Sequence, residues 1–237
     1  MQILAFDSSA LTASVALWRD GMIVAEESCT NALNHSVRLL PMIDEVLRLS
    51  ETTAADVDAF ALSAGPGSFT GVRIGIATLK GLAFRTDCLC APVSTLEALA
   101  YNELGHRGVI CAVMDARRNE FYNALFTTDE DGKLVRLCAD RAISGADLSL
   151  ELCSMEGTVV ICGDGAALFY QHCQNTIPGK KFYLSSPTRR VQRASSVACV
   201  GAEMLKNGQG VSILQLAPLY LRASGAERKR NESETSC

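Results

Sequence analysis

The chain has 237 residues, 48% of them hydrophobic and 20% charged, with a formal net charge of −4. This describes a globular protein with one large core or two small ones, without the global basic field that would gather nucleic acid. No apolar run reaches the ~20 residues of a membrane-spanning helix, and the first residues read as a strand rather than a leader, so a cytoplasmic protein is expected.

The elements follow in chain order. Residues 3–6 form a short apolar strand ending at Asp7, residues 13–18 a second strand, Arg19-Asp20-Gly21 a hairpin signal and residues 22–25 a third strand. A helix is expected over 35–50, with Asn34 as its N-cap and Pro41 bending it near Val37. A buried strand over 58–63 ends at Gly65, and a helix follows over 70–84. After a junction at 101–108 the plan repeats. Strands are expected at 109–114 (ending at Asp115), 121–126 and 133–137, a helix at 145–153, a strand at 158–162 and a helix at 165–174. A last helix (194–206), a strand (216–221) and a disordered, charged tail complete the chain. The divisions are an N-terminal lobe at 1–104, a C-terminal lobe at 105–223 whose helix 194–206 packs back on the first lobe, and a tail at 224–237.

Periodicity alone gives α/β with mixed sheets. The duplicated layout, three antiparallel strands and then helix–strand–helix, resembles the actin-like ATPase (ASKHA, ribonuclease H-like) fold. That resemblance implies nucleotide phosphates between two carboxylate-bearing hairpins, here Asp7-Ser8-Ser9 and Asp115-Ala116-Arg117-Arg118. A strand-end carboxylate can hold hydrated Mg²⁺, and neighbouring hydroxyls can hold phosphate. The second hairpin lacks the glycines that job needs, and Asp115 is read as a turn carboxylate. For Asp7 both readings stand. Arg117 and Arg118, being adjacent, should point to opposite faces of an extended hairpin.

Ten cysteines form no CxxC pair and mostly sit in apolar runs, as buried thiols do. Of three histidines, His35 opens a helix, but the place one turn on is Leu39, which cannot bind metal. His35 is therefore read as a capping or interface residue, with no metal site. No nucleophile–base motif stands out. The basic clusters Arg189-Arg190-x-x-Arg193 and Arg228-Lys229-Arg230 are read as solvated surface. Gly65-Pro66-Gly67-Ser68-Phe69-Thr70-Gly71-Val72-Arg73-Ile74-Gly75 is the densest signal. It is neither GxxxxGK[ST] nor GxGxxG, and is either a tight turn or a place where backbone approaches a ligand or another chain closely. Both flanking helices carry surplus apolar surface, which suggests a helix–helix interface with another chain, the alternative being burial of both between sheet and lobe.

That glycine segment resembles the signature of the bacterial TsaB (YeaZ) family. Supporting it are Ile3-Leu4-Ala5-Phe6-Asp7-Ser8-Ser9, Asn34-His35-Ser36, Leu39-Leu40-Pro41, residues 114–122 and Pro218-Leu219-Tyr220-Leu221-Arg222. The resemblance implies a non-catalytic subunit in the formation of N6-threonylcarbamoyladenosine at position 37 of ANN-reading tRNAs. It implies partners as well: the catalytic paralogue TsaD, whose metal-holding histidine pair corresponds to His35 and Leu39 here, and the ATPase TsaE. A homodimer through the same helices and indirect contact with tRNA also follow. The interface expected on this basis is His35, Leu39, Leu40, Ile43, Thr70, Gly71, Ile74 and Gly75, and Gly75→Leu should weaken pairing with the fold intact. An ATP or ADP site, weak and either in the lobe cleft or at the partner interface, is the only cofactor expectation. Asp7, Ser8, Ser9, Arg117 and Arg118 would carry it. The competing class is an actin-like ATPase or small-molecule kinase; Leu39 opposes metal-dependent hydrolysis.

Overall fold

The computed structural model describes residues 1–30, 34–84, 86–176 and 181–222. The expectations for 224–237, including the basic cluster at 228–230, lie outside the described residues.

The first sheet starts with a meander. β1 (Gln2–Asp7) and β2 (Thr12–Arg19) are buried almost throughout, and β3 (Met22–Thr30) forms the partly exposed edge. Asp20 and Gly21 both have positive φ, which suits the tight turn between β2 and β3. α1 (His35–Leu49) then leads to β4 (Ala59–Gly65), parallel to β1, and α2 (Phe69–Leu82) leads to β5 (Leu89–Ser94), parallel to β4. After α3 (Thr95–Tyr101) the pattern repeats in β6 (Val109–Asp115), β7 (Glu120–Thr128), β8 (Leu134–Arg136), β9 (Arg141–Ser144), α4 (Gly145–Ser154), β10 (Val159–Cys162), α5 (Ala166–Thr176) and β11 (Phe182–Leu184). α6 (Ala194–Lys206) and β12 (Val211–Ser212) follow. The strand orders are β12-β5-β4-β1-β2-β3 and β11-β10-β6-β7-β8, with β9 beside β7. Omitting β12 and β9, they are the same order written twice.

Each sheet is covered on both faces. α1 and α2 bury Leu39, Ile43, Val46, Val72 and Leu79 against Phe6, Val15, Leu17 and Leu62 of the first sheet. At about 1.5–3 kcal/mol per large side chain, this is the main stabilisation of that layer. α4 and α5 do the same for the second sheet through Leu148, Leu152 and Phe169. The inner helices are exchanged. α3 follows the first sheet in sequence yet packs Leu96, Leu99 and Ala100 on β6 and β7 of the second. α6 follows the second sheet yet packs Val197, Ala198 and Val200 on β1, β2, β4 and β5 of the first. The two helices also touch each other, so the lobes share a two-helix hinge.

Several expectations change. No strand spans 216–221. Pro218 has no N–H to give a ladder, and that stretch makes a single backbone bond with β4, from Leu219 N to Ala64 O at 2.7 Å. β3 runs to Thr30 rather than stopping at Ala25, because β2 continues opposite it. Asn34 occupies the N-cap place of α1 without a side-chain capping bond. Pro41 lies inside an uninterrupted helix. β5, α3, β9, β11 and β12 had no clear sequence signal.

Candidate functional site: the inter-lobe cleft and the α1–α2 face

A cleft of about 770 Å³ opens between the lobes. On the first lobe it is lined by the turn after β1 and by the first turns of α1 and α2. On the second it is lined by residues 114–117, Tyr122 and Asp164.

The glycine signature is folded onto the chain's own hairpin. Ser68 N donates to Ser9 O at 2.6 Å, and Ser68 Oγ caps α2 by accepting from Gly71 N at 3.2 Å. A Cβ on Gly67 would stand 2.4 Å from Ser9 O. On Gly71 it would stand 2.0 Å from Ser8 O, and on Gly75 2.7 Å from Ser8 Oγ and 3.0 Å from Leu62. Close backbone approach is therefore the role of these glycines, and the approached backbone is residues 8–9. Gly71 and Gly75 face inward, as do the fully buried Leu39 and Ile43. This corrects the expected docking stripe: these four residues hold the chain's own core, and Gly75→Leu would collide with it rather than leave the fold intact. What α1 and α2 present outward is Val37 (67% exposed), Leu40 (48%), Thr70, Arg73 and, in part, Ile74.

Asp7 is fully buried. Its Oδ1 accepts from Ser9 N and Ser9 Oγ, both at 2.7 Å, and its Oδ2 from Ser63 Oγ. Burial pushes its carboxyl above the usual range, partly opposed by those bonds. Ser8 Oγ donates to Gly71 O at 2.9 Å. The polar atoms of the first hairpin are thus engaged by Ser9 of the hairpin itself and by its neighbours β4 and α2. Asp7 and Ser8 are buried and do not line the cleft, so as arranged neither reaches a Mg²⁺–phosphate group held there. Ser9 and Arg117 do line the cleft; Arg118 does not.

The second hairpin is not extended. Arg117, Arg118 and Asn119 have φ of 66°, 56° and 59°, so the alternation expected of the two arginines does not arise. The turn is held by Arg117 N to Asp115 Oδ1 at 2.7 Å and Ala116 N to Glu120 O at 3.0 Å. Asp115 is a turn carboxylate.

His35 Nε2 meets the Ala10 carbonyl at 2.6 Å. A carbonyl only accepts, so this nitrogen carries the proton, and the histidine pins α1 to the turn after β1. Leu39, one turn on, points into the core. Among the described residues no group of three or more His, Cys, Asp or Glu could hold a metal ion.

Sequence reasoning passed over Asp164 as a site residue. Its side chain is open to the cleft, yet protein surrounds it closely enough to cost hydration. Its carboxyl is pushed up to about 6, with the charges of Asp115 and Asp7 adding. The signal was present: Gly163-Asp164-Gly165 ends β10 where Gly65 ends β4. The glycines are required there, since a Cβ on Gly163 would stand 2.1 Å from Val113 O. The segment at 218–222, expected as part of a last strand, instead packs across α2 and the second lobe. Tyr220 stacks on Phe69 with ring centroids 4.7 Å apart, Arg73 lies 3.8 Å over Phe69 and donates to Tyr220 Oη at 2.7 Å, and Arg222 pairs with Glu120.

Among the described residues no helix is long and apolar enough to cross a membrane. Compared with known proteins, residues 29–229 match the family model described as TsaD, tRNA N6-adenosine threonylcarbamoyltransferase. The tRNA threonylcarbamoyladenosine biosynthesis protein TsaB of Bacillus subtilis is 32% identical over 99% of this chain and 100% of its own length. TsaB of Escherichia coli is 32% identical over 97% and 98%. A Pseudomonas aeruginosa structure, described as an uncharacterized protein with similarity to peptidase YeaZ, superposes with a TM-score of 0.80 at 27% identity, covering 93% of this chain and 99% of that one. The ROK hexokinase of Thermus thermophilus shares the fold alone, at TM-score 0.51 and 10% identity over 87% of this chain and all of that one. The actin-like architecture is thereby shown, and the chain belongs to the TsaB (YeaZ) family.

Proposed function

We propose that this chain is a non-catalytic, activating subunit in the formation of N6-threonylcarbamoyladenosine at position 37 of ANN-reading tRNAs. It pairs with the catalytic paralogue TsaD through the outward faces of α1 and α2, and TsaE joins the pair. The same faces serve a homodimer when TsaD is absent, and tRNA is reached through the complex.

The observation that supports this reading best is the state of His35 and Leu39. The histidine's Nε2 is engaged by Ala10 O, and the residue one turn on is a fully buried leucine. A helix that has given up a ligand pair but keeps exposed Val37 and Leu40 suits docking better than chemistry. Any ATP or ADP is held at the partner interface rather than by Asp7 and Ser8, whose polar atoms are engaged by Ser9, Ser63 and Gly71.

Reconstitution tests this. Purified chain, TsaD and TsaE are combined with tRNA, ATP, threonine, bicarbonate and the synthase that makes threonylcarbamoyl-adenylate, and modified adenosine is quantified with and without the chain. Modification that depends on the chain, while the chain alone neither turns over ATP nor modifies tRNA, is the expected result. Full modification without it, or brisk ATP turnover by the chain alone, would overturn the proposal and favour an actin-like ATPase or kinase.

A further inference from the structure

The segment at 218–222 crosses from one lobe to the other. Its near end is fixed to the first lobe. Leu219 N donates to Ala64 O at 2.7 Å, and the Leu219 carbonyl lies so close to Gly65 that a Cβ there would stand 2.4 Å from it. Tyr220 is then held against the first turns of α2 by its stack on Phe69 and the Arg73 bond to its hydroxyl. Its far end is fixed to the second lobe, where Arg222, mostly buried, pairs with Glu120. Glu120 is the first residue of β7, and its carbonyl accepts from Ala116 N in the turn that lines the cleft.

We propose that residues 218–222 form an inter-lobe latch that couples the width of the cleft to the outward face of α2. Arg222 stands three positions after Leu219, and three extended residue steps span at most about 10 Å. So short a tether limits how far the lobes can part before either the Ala64 anchor or the Glu120 anchor breaks. Tyr220 lies between the two anchors, beside Phe69 and beside Arg73 of the helix face assigned above to partner docking. Closed lobes therefore hold Tyr220 on α2 as part of a rigid aromatic–arginine surface, the composition that dominates interface energetics. Parted lobes draw the segment off and leave Arg73 and Phe69 without it. By reciprocity, a partner that seals Tyr220 onto α2 favours the closed lobes. The coupling to docking rests on the proposed function; the latch itself does not.

The test changes one end and reads the other. Amide exchange is followed by mass spectrometry in the full chain. Arg222→Ala, which cuts the second-lobe anchor, should speed exchange of the Leu219 amide on the first lobe about tenfold. Tyr220→Ala, which cuts the first-lobe contact, should do the same for the Ala116 amide on the second. The exchanged pair Glu120→Arg with Arg222→Glu should restore slow exchange, which separates a lost ion pair from a misfolded chain. Unchanged Leu219 exchange in Arg222→Ala would overturn the latch. Glu120 lies outside the docking face, so Glu120→Ala should weaken TsaD binding about fivefold only if the coupling exists; an unchanged Kd would overturn the coupling. If the unaltered chain fails to bind TsaD, the proposed function falls and the docking half falls with it, while the exchange measurements decide the latch on their own.

Discussion

Gly71 and Ser8 are in backbone contact: a Cβ built on Gly71 would stand 2.0 Å from the Ser8 carbonyl oxygen. That oxygen belongs to a buried turn and cannot swing away as a side-chain tip would. Gly71→Ala is therefore expected to cost about 3 kcal/mol or more, through overpacking and displacement of the β1–β2 turn. Gly81, on the same helix, has nothing within 4 Å of the equivalent position. Gly81→Ala should stabilise by about 0.5–1 kcal/mol, because it lowers the entropy of the unfolded chain. Urea unfolding of the two variants side by side checks both signs. Equal stability of Gly71→Ala and the parent would contradict the packing described.

Leu39 and Leu40 are neighbours with opposite fates, one fully buried and one 48% exposed. Leu40→Asp should leave unfolding within about 0.5 kcal/mol of the parent, as surface changes do, while weakening TsaD pairing more than tenfold. Leu39→Asp places a carboxylate among Phe6, Ile43 and Leu62, and should prevent folding. Size-exclusion chromatography and thermal melting separate the two effects. A fully paired Leu40→Asp variant would move the docking face elsewhere.

Much of the fold could be read along the chain because its signals are local. The Asp20-Gly21 turn, the apolar β6 and the small-residue α6 announce themselves within a few residues. Which face of a helix meets the core does not. Periodicity placed Gly71 and Gly75 on one stripe, but could not say whether that stripe met another chain or Ser8. The packing of α6 on the first sheet joins residues a hundred or more positions apart in the chain. The Arg222–Glu120 pair is equally non-local, and its two residues belong to no shared pattern. For Asp7, two uses of one carboxylate share a single sequence, and only the hydroxyls of Ser9 and Ser63 around it decide between them.

Glu26, on β3, caps a helix far away in sequence. Its carboxylate accepts from Ser195 N at 3.0 Å and Ser195 Oγ at 2.7 Å in the first turn of α6, and pairs with Arg193. Burial alone would raise its pKa, but the arginine and serine bonds outweigh burial and the carboxyl lies below its ordinary 4.5. A depressed acid contributes stability that is present above its unfolded pKa and lost as pH falls through the folded value. Glu26→Gln should therefore cost about 1–2 kcal/mol at pH 7. The difference from the parent should shrink as pH falls below about 4.5, the unfolded value. Urea denaturation at pH 7, 5 and 3.5 provides the comparison, and a pH-independent difference would show that the charge of Glu26 is not what stabilises α6.

Asp164 should behave in the opposite sense. Its folded pKa of about 6 lies above the ordinary 3.8, so the folded chain holds a proton that the unfolded chain has released. Its contribution to stability is fully present below pH 4 and declines as pH rises through 6. The full shift would correspond to about 3 kcal/mol. The side chain is open to the cleft, and solvent screening reduces this to about 1 kcal/mol. Asp164→Asn removes the titrating group. It should flatten that decline and leave the variant about 1 kcal/mol more stable than the parent at pH 7. The carboxyl carbon shift of Asp164, followed by NMR between pH 3 and 8, should move with a midpoint raised above the ordinary 3.8, toward 6, in the parent chain. Because Asp115 shares the cleft and raises that midpoint, Asp115→Asn should lower it. A midpoint near 4 that ignores Asp115 would mean that Asp164 is fully hydrated and that the two acids of the second lobe do not share a field.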